Sequence, residues 1–215
     1  MEFLMNLSFN NDVEFFNAHK EAYLEHVKAP LVRLCADLAP TVNAIDPHLD
    51  SRHNRTICRI RRDARYCKGV PYRTNMWLSY KPADRGNSDY FTYFFYYEGD
   101  RYGAGIGFHG MQKKKMDAFR ARIDREQDAF AAIIHRPCMD DYLLDGEDYK
   151  RPKRSDLPAD IAKWYNKKRL SVYREFPMSA RAFTPELTDD ITRIFLDLVP
   201  IYDFVLGNEV RLERI

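Results

Sequence analysis

Seven of the eight residues in Tyr90-Phe91-Thr92-Tyr93-Phe94-Phe95-Tyr96-Tyr97 are aromatic, and no other run constrains the fold of this chain as strongly. In an extended strand successive side chains point to opposite faces, so both faces of this one are aromatic. That predicts a central strand covered on both sides. Glu98-Gly99-Asp100 then supplies a tight turn into Arg101-Tyr102-Gly103-Ala104-Gly105-Ile106-Gly107-Phe108, a second strand of the same hairpin. Its glycines at 103, 105 and 107 share one face, which requires something to pack close there: a helix, an aromatic neighbour or a ligand, with a neighbour as the expected occupant.

Upstream, Asn75-Met76-Trp77-Leu78-Ser79-Tyr80 reads as a strand ended by Pro82, and Thr56 to Arg62 as another before it. Leu170 to Phe176 fits a further strand, and Tyr142 to Glu147 a short strand and turn. Helices flank this sheet. Asn10-Asn11-Asp12 offers N-caps for a first helix whose face carries Phe16, Tyr23 and Val27. Pro30 suits the first turn of a second, with Leu31, Leu34, Cys35 and Leu38 recurring until Pro40 stops it, and residues 41–55 read as a loop. A long helix is expected from Met111 to Ile134, a short one over Asp160 to Tyr165, and a last one from Thr184-Pro185-Glu186 to Gly207. The fold class is therefore α+β: a single domain over residues 1–215, an antiparallel sheet of about four to six strands with its core at 56–108, and a helical elaboration over 111–207. At 215 residues, 45% of them hydrophobic, one core can serve the chain.

Lys+Arg 34 against Asp+Glu 32 gives a formal net charge of +2, so bulk electrostatics select neither nucleic acid nor a membrane surface, and any positive field is local. The first residues carry an acid where a signal peptide needs a basic end, and no apolar run reaches membrane-spanning length; the expected location is the cytoplasm. Cys35, Cys58, Cys67 and Cys138 form no C-x-x-C pair and are expected as reduced thiols. His19 and His26 lie two turns apart, too far for an i,i+4 metal pair, and no other spacing resembles a metal set, a P-loop, a dinucleotide fingerprint or a serine elbow. Neither a metal nor a cofactor is called for.

The local field is concentrated in Arg59-Ile60-Arg61-Arg62-Asp63-Ala64-Arg65-Tyr66-Cys67-Lys68-Gly69-Val70-Pro71-Tyr72-Arg73-Thr74-Asn75. Alternation puts Cys58, Ile60 and Arg62 on one face and Arg59 and Arg61 on the other. An arginine ending a core-facing row has to be paired or line a cavity. Two further basic clusters stand apart from this stretch. One is Lys113-Lys114-Lys115 in the first turns of the long helix, where the macrodipole disfavours cations, so the choice is between solvated lysines and an anion held near that end. The other is Lys150 to Arg154 in a loop.

These motifs come in an order that resembles the family catalogued as domain of unknown function 2461. The resemblance rests on Asn10-Asn11 with Phe15-Phe16-x-x-His19-Lys20-x-x-Tyr23, on Arg59-Ile60-x-Arg62-Asp63-x-Arg65-Tyr66 followed by Pro71-Tyr72-Arg73-Thr74-Asn75, and on Gly103-x-Gly105 with Met116-x-x-Phe119-Arg120. The region of Pro200 resembles the family's closing helix, so coverage is nearly complete. One departure stands in the middle: Cys67-Lys68-Gly69-Val70 is about one residue shorter than the family's loop and lacks its Asp-Lys pair, which leaves Lys68 to stand for the missing lysine. The resemblance implies a fold and a surface of interest, and no reaction.

Three functions remain open. The first is a pocket for an anionic small molecule bearing phosphate or carboxylate, with Arg62, Arg65, Tyr66, Lys68, Tyr72, Arg73 and Arg120 as ligand-binding residues and Asp63 and His109 as candidates for acid–base work. The second is RNA or single-stranded nucleic acid, which needs the three basic clusters on one face. In the third, Arg62, Asp63 and Arg65 form a buried ion-pair network with a structural or protein-interaction role.

Overall fold

A computed structural model describes residues 2–65, 67, 69–83, 90–110 and 113–212, with the backbone alone at His109. The aromatic run is β3 (Tyr90–Glu98), which pairs on one side with β2 (Asn75–Pro82) and on the other with β4 (Arg101–His109). β1 (Leu49–Asp50), β5 (Leu143–Asp145) and β6 (Ser171–Pro177) complete a sheet of order β1-β2-β3-β4-β6-β5, antiparallel at every pairing. The α+β class and the strand number agree with the sequence reading. Gly99, at φ 60°, closes the β3–β4 turn in a conformation that favours glycine.

One face of this sheet is the core. Met76, Leu78 and Tyr80 of β2, Phe91, Tyr93 and Phe95 of β3, and Ala104 and Ile106 of β4 are all buried. They meet α4 (Ala29–Ile45), α9 (Glu186–Asp197) and α10 (Val199–Leu206). Tyr93 lies 4.9 Å from the rings of both Phe195 and Tyr202. Behind these, α6 (Lys113–Arg125) and α7 (Gln127–Ile134) add Phe119 and Phe130 against Phe204, and α8 (Ala159–Tyr165) sets Trp164 against Phe130. The N-terminal residues form α1 (Glu2–Phe9), whose Phe3, Leu4 and Leu7 join the same core.

Several expected boundaries differ. Pro30 does not begin a new helix. α2 (Val13–Ala18) is followed by α3 (Lys20–Tyr23), which runs through a π turn (Leu24–Lys28) into α4, with Ala29 N–H bonded to Leu24 O. A proline ring within a helix clashes with the carbonyl four residues back, and the wider π turn relieves that clash. Pro40 is likewise accommodated, and α4 continues to Ile45. Residues 41–55, expected as a loop, contain the end of α4, β1 and the start of a short α5 (His53–Thr56). The long middle helix breaks at Glu126, and the last one at Leu198, where Pro200 falls in the first turn of α10 and forfeits no helical hydrogen bond. Gly207 ends α10 at φ 81°, as its position predicts.

Candidate functional site

The Arg-rich stretch does not form the continuous strand expected from Thr56 to Arg62. Thr56 closes α5, and the chain then touches β2 at the Ile57–Leu78 bridge before doubling back on itself at Arg61–Tyr72. Two hydrogen bonds fix that return: Arg62 N–H to Pro71 O at 2.8 Å and Arg73 N–H to Ile60 O at 2.8 Å. Asn11 acts as a third strand in miniature. Its side chain donates to Tyr72 O at 3.0 Å and accepts from Tyr72 N–H at 2.9 Å.

Tyr72 is buried and stacks on Phe16 at 4.2 Å. Alternation therefore turns Arg73 to the opposite side, and Arg62 with it, the two lying diagonally across the bridge with Cα atoms about 7–8 Å apart. Arg73 reaches over β2 to the indole of Trp77, 4.7 Å from its ring centroid. Arg62 is half-buried, and its Nε is buried without an acceptor among the described residues. A guanidinium N–H in that state lacks the partner that buried cations normally have.

Asp63 is not that partner. It accepts from Arg65, at 2.6 Å between Nη2 and Oδ2 and 3.0 Å from the Arg65 backbone N–H, in a fork that is exposed on both sides. The Arg65 hydrogen bonds hold the Asp63 carboxyl below its usual range, which suits an anion better than a base. Where one of the three open readings had a buried Arg62–Asp63–Arg65 network, the structure has an exposed Asp63–Arg65 pair with Arg62 outside it.

Trp77 belongs to the second face of the sheet. Asn75, Trp77 and Ser79 of β2, and Thr92, Phe94, Tyr96 and Glu98 of β3, line an open cleft of about 300 Å³ that runs across Gly107 to Ser171. β3 is central, as expected, yet its second face is covered only in part: Tyr90 and Thr92 are buried there, whereas Phe94 and Tyr96 are half-buried. The β4 glycines floor this face. A Cβ at Gly103 would meet the Tyr96 ring at 2.8 Å, and one at Gly105 would meet Tyr173 Cβ at 2.5 Å and Val172 O at 2.2 Å. The close neighbours foreseen for the glycine stripe are these aromatic residues and the β6 backbone. Tyr96 Oη donates to Glu175 Oε2 at 2.5 Å, with Arg101 Nη1 3.5 Å from Glu175 Oε1, and burial together with that carboxylate pushes the Tyr96 phenol far up. The cleft residues were legible only as the polar and aromatic side of the β2 and β3 alternation, a signal outweighed by the basic motif.

Of the other candidates, Tyr66, Lys68 and the side chain of His109 lie outside the described residues. His109 pairs with Tyr90, whereas Trp77 pairs with Tyr96, itself opposite Gly103. His109 thus lies six positions along β4 from the Arg73 end of the cleft, about 20 Å along the strand. Arg120 is buried elsewhere: Nε donates to Tyr165 O at 2.8 Å, Nη1 to Asp117 at 2.7 Å and Nη2 to Lys167 O at 2.6 Å. It clamps α6 to the chain leading into β6, two strands beyond β3. The Lys150–Arg154 loop packs there too, through Arg154 to Asp124 of α6 and Lys153 over Tyr149. Neither Arg120 nor the Lys150–Arg154 loop therefore sits with Arg62 and Arg73.

Beneath the return of the chain, Cys58 Sγ accepts from Trp77 N–H at 3.2 Å, and burial pushes its thiol up to about 11, well away from a reactive thiolate at neutral pH. Among the described residues no three His, Cys, Asp or Glu side chains group as metal ligands, and no helix is long and apolar enough to cross a membrane.

The model of a family described as a conserved hypothetical protein, DUF2461, matches residues 1–204. No curated protein matches the chain.

Proposed function

The chain belongs to the DUF2461 family of conserved hypothetical proteins, and from that premise we propose that it binds a small molecule with an anionic group and a flat or cyclic body. Arg62 and Arg73 hold the anionic group at the β2 edge, and the body lies along the cleft over Trp77, Phe94 and Tyr96. The observation that carries this reading is the buried Arg62 Nε, without an acceptor among the described residues, beside a second guanidinium already aligned on an aromatic ring. An oxyanion supplies what that N–H lacks, and arginine presents its donors to phosphate or carboxylate in a fixed planar fork.

Tyr72 serves the site through its backbone and packing, which fix where Arg73 leaves the chain. Arg65 and Arg120 are engaged with other partners and are left out of the proposal. Asp63, bound to Arg65, and His109, remote along β4, give no acid–base pair at Arg62, so the reading is one of binding, with no reaction assigned.

Calorimetric titration with nucleotides, sugar phosphates and acyl phosphates tests it. At least one of these compounds binds the wild-type protein, about tenfold or more weaker in Arg62→Gln and in Arg73→Gln, and equally well in Arg65→Gln. Absence of any binding, or binding that survives Arg62→Gln, refutes the proposal.

A further inference from the structure

The core face of β3 carries a second opening, separate from the cleft on its other face. Between the π turn (Leu24–Lys28) with the start of α4, and the segment joining β6 to α9, lies a cavity of about 130 Å³. Its floor is Phe95, Tyr97 and Tyr102, one wall holds Pro30 and Leu34, and Met178 and Phe183 stand opposite. Phe183 is 66% exposed although it borders this apolar space, so its ring is left in solvent beside a surface that could help to bury it. The π turn forced by Pro30 shapes the other wall, and such turns widen a helix where it meets a site.

We propose that this cavity is a binding site for a small neutral aromatic molecule carrying one hydrogen-bonding group. Four aromatic side chains and a thioether line it, partners that suit a ring by edge and face contact. The volume matches about one six-membered ring, the size of apolar cavities known to take up benzene. Among the described residues no carboxylate, ammonium or guanidinium lines it, and its polar side chains are those of His26 at the rim, Tyr97 and Tyr102. That set orients a neutral hydroxyl or N–H and disfavours an ion, which would lose its hydration for no counter-charge. A bound ring also covers Phe183.

The experiment uses phenol and indole as probes and benzoate as the charged control, followed by calorimetry and by NMR shifts of the full-length protein. Phenol or indole is expected to bind, with shifts concentrated on Phe95 and Tyr102, while benzoate produces none there. Filling the cavity with Ala182→Phe, or independently with Leu34→Phe, lowers the affinity about tenfold or more. Arg62→Gln leaves it unchanged, which separates this site from the cleft on the opposite face. The proposal is overturned if no neutral probe binds at millimolar concentration, if the wild-type shifts fall elsewhere, if benzoate competes as well as phenol, or if a folded filled variant binds as the wild type does.

Discussion

Arg73 lies over the indole of Trp77, with its guanidinium carbon 4.7 Å from the ring centroid, four residues along the chain and on the open side of the sheet. This contact ties the end of the Arg-rich return to the first turn of β2's outward face. The indole fixes the plane of the guanidinium. Removing Arg73 therefore does two separable things. Arg73→Ala is expected to cost about 0.5–1 kcal/mol in urea unfolding, the worth of one partly exposed cation–π contact, and to shift the Trp77 emission to the red. Trp164 is buried and serves as the internal reference. An unaltered emission spectrum would mean that the stacked geometry is not populated in solution.

Arg62 makes the opposite prediction for stability. Its Nε is buried without an acceptor among the described residues, so the unliganded protein carries a desolvation cost at this side chain. Arg62→Met keeps much of the shape and removes the charge. The variant is expected to be as stable as the wild type, or more stable by up to about 1–3 kcal/mol, while losing every response to anions. Were Arg62 instead part of a stabilising network, the same change would destabilise the protein by several kcal/mol, and chemical denaturation distinguishes the two signs.

Asp50 supplies a test in pH. Its carboxylate accepts from Arg52 Nε at 2.9 Å and Nη2 at 2.6 Å, with Arg55 3.6 Å away, and the Arg52 hydrogen bonds hold its pKa down at about 2. A group depressed in the folded state contributes stability that is fully present above its unfolded value, near 4, and is lost as pH falls through the folded value. Both arginines are largely exposed, so solvent screening reduces the contribution to about 1 kcal/mol. Asp50→Asn is thus expected to flatten the decline in stability between pH 4 and pH 2 and to leave its slope above pH 5 unchanged. A wild-type slope retained in the variant would assign the acid sensitivity to other carboxylates.

The strands were legible because alternation and turns are local properties: Glu98-Gly99-Asp100 announces the β3–β4 turn, and β2, β3 and β4 fall within two residues of their predicted ends. The helix breaks were less so. Whether Pro30 starts a helix or is absorbed by a π turn depends on the packing of Val27 and Leu31 into the core, which is a tertiary fact. The site was legible in part. Sequence adjacency favours Arg62 and Asp63 as a pair, but neighbours along an extended chain point to opposite sides, and Asp63 closes on Arg65 two positions away. Asn11, read as a capping residue and as part of the family's opening motif, pins Tyr72 across 61 positions, a contact that no local pattern encodes.

The glycine stripe permits a decision between packing and ligand access. At Gly105 an added Cβ would stand 2.2 Å from Val172 O and 2.6 Å from Tyr173 Cα, both backbone atoms of β6, so the β4–β6 ladder itself would have to open. At Gly107 the nearest atom is Ser171 Oγ at 2.8 Å, the end of a side chain that can rotate away. Gly105→Ala is therefore expected to cost about 3 kcal/mol and Gly107→Ala about 1 kcal/mol, measured by chemical denaturation. If the glycines were there to admit a ligand and not to admit β6, both variants would retain their stability and differ from the wild type only in titration with anions. Equal and small losses at the two positions would thus reject close strand packing as the reason for the stripe, whereas a steep difference ties Gly105 to the β6 backbone and leaves Gly107, which borders the cleft, as the position where a methyl group would intrude on the proposed ligand.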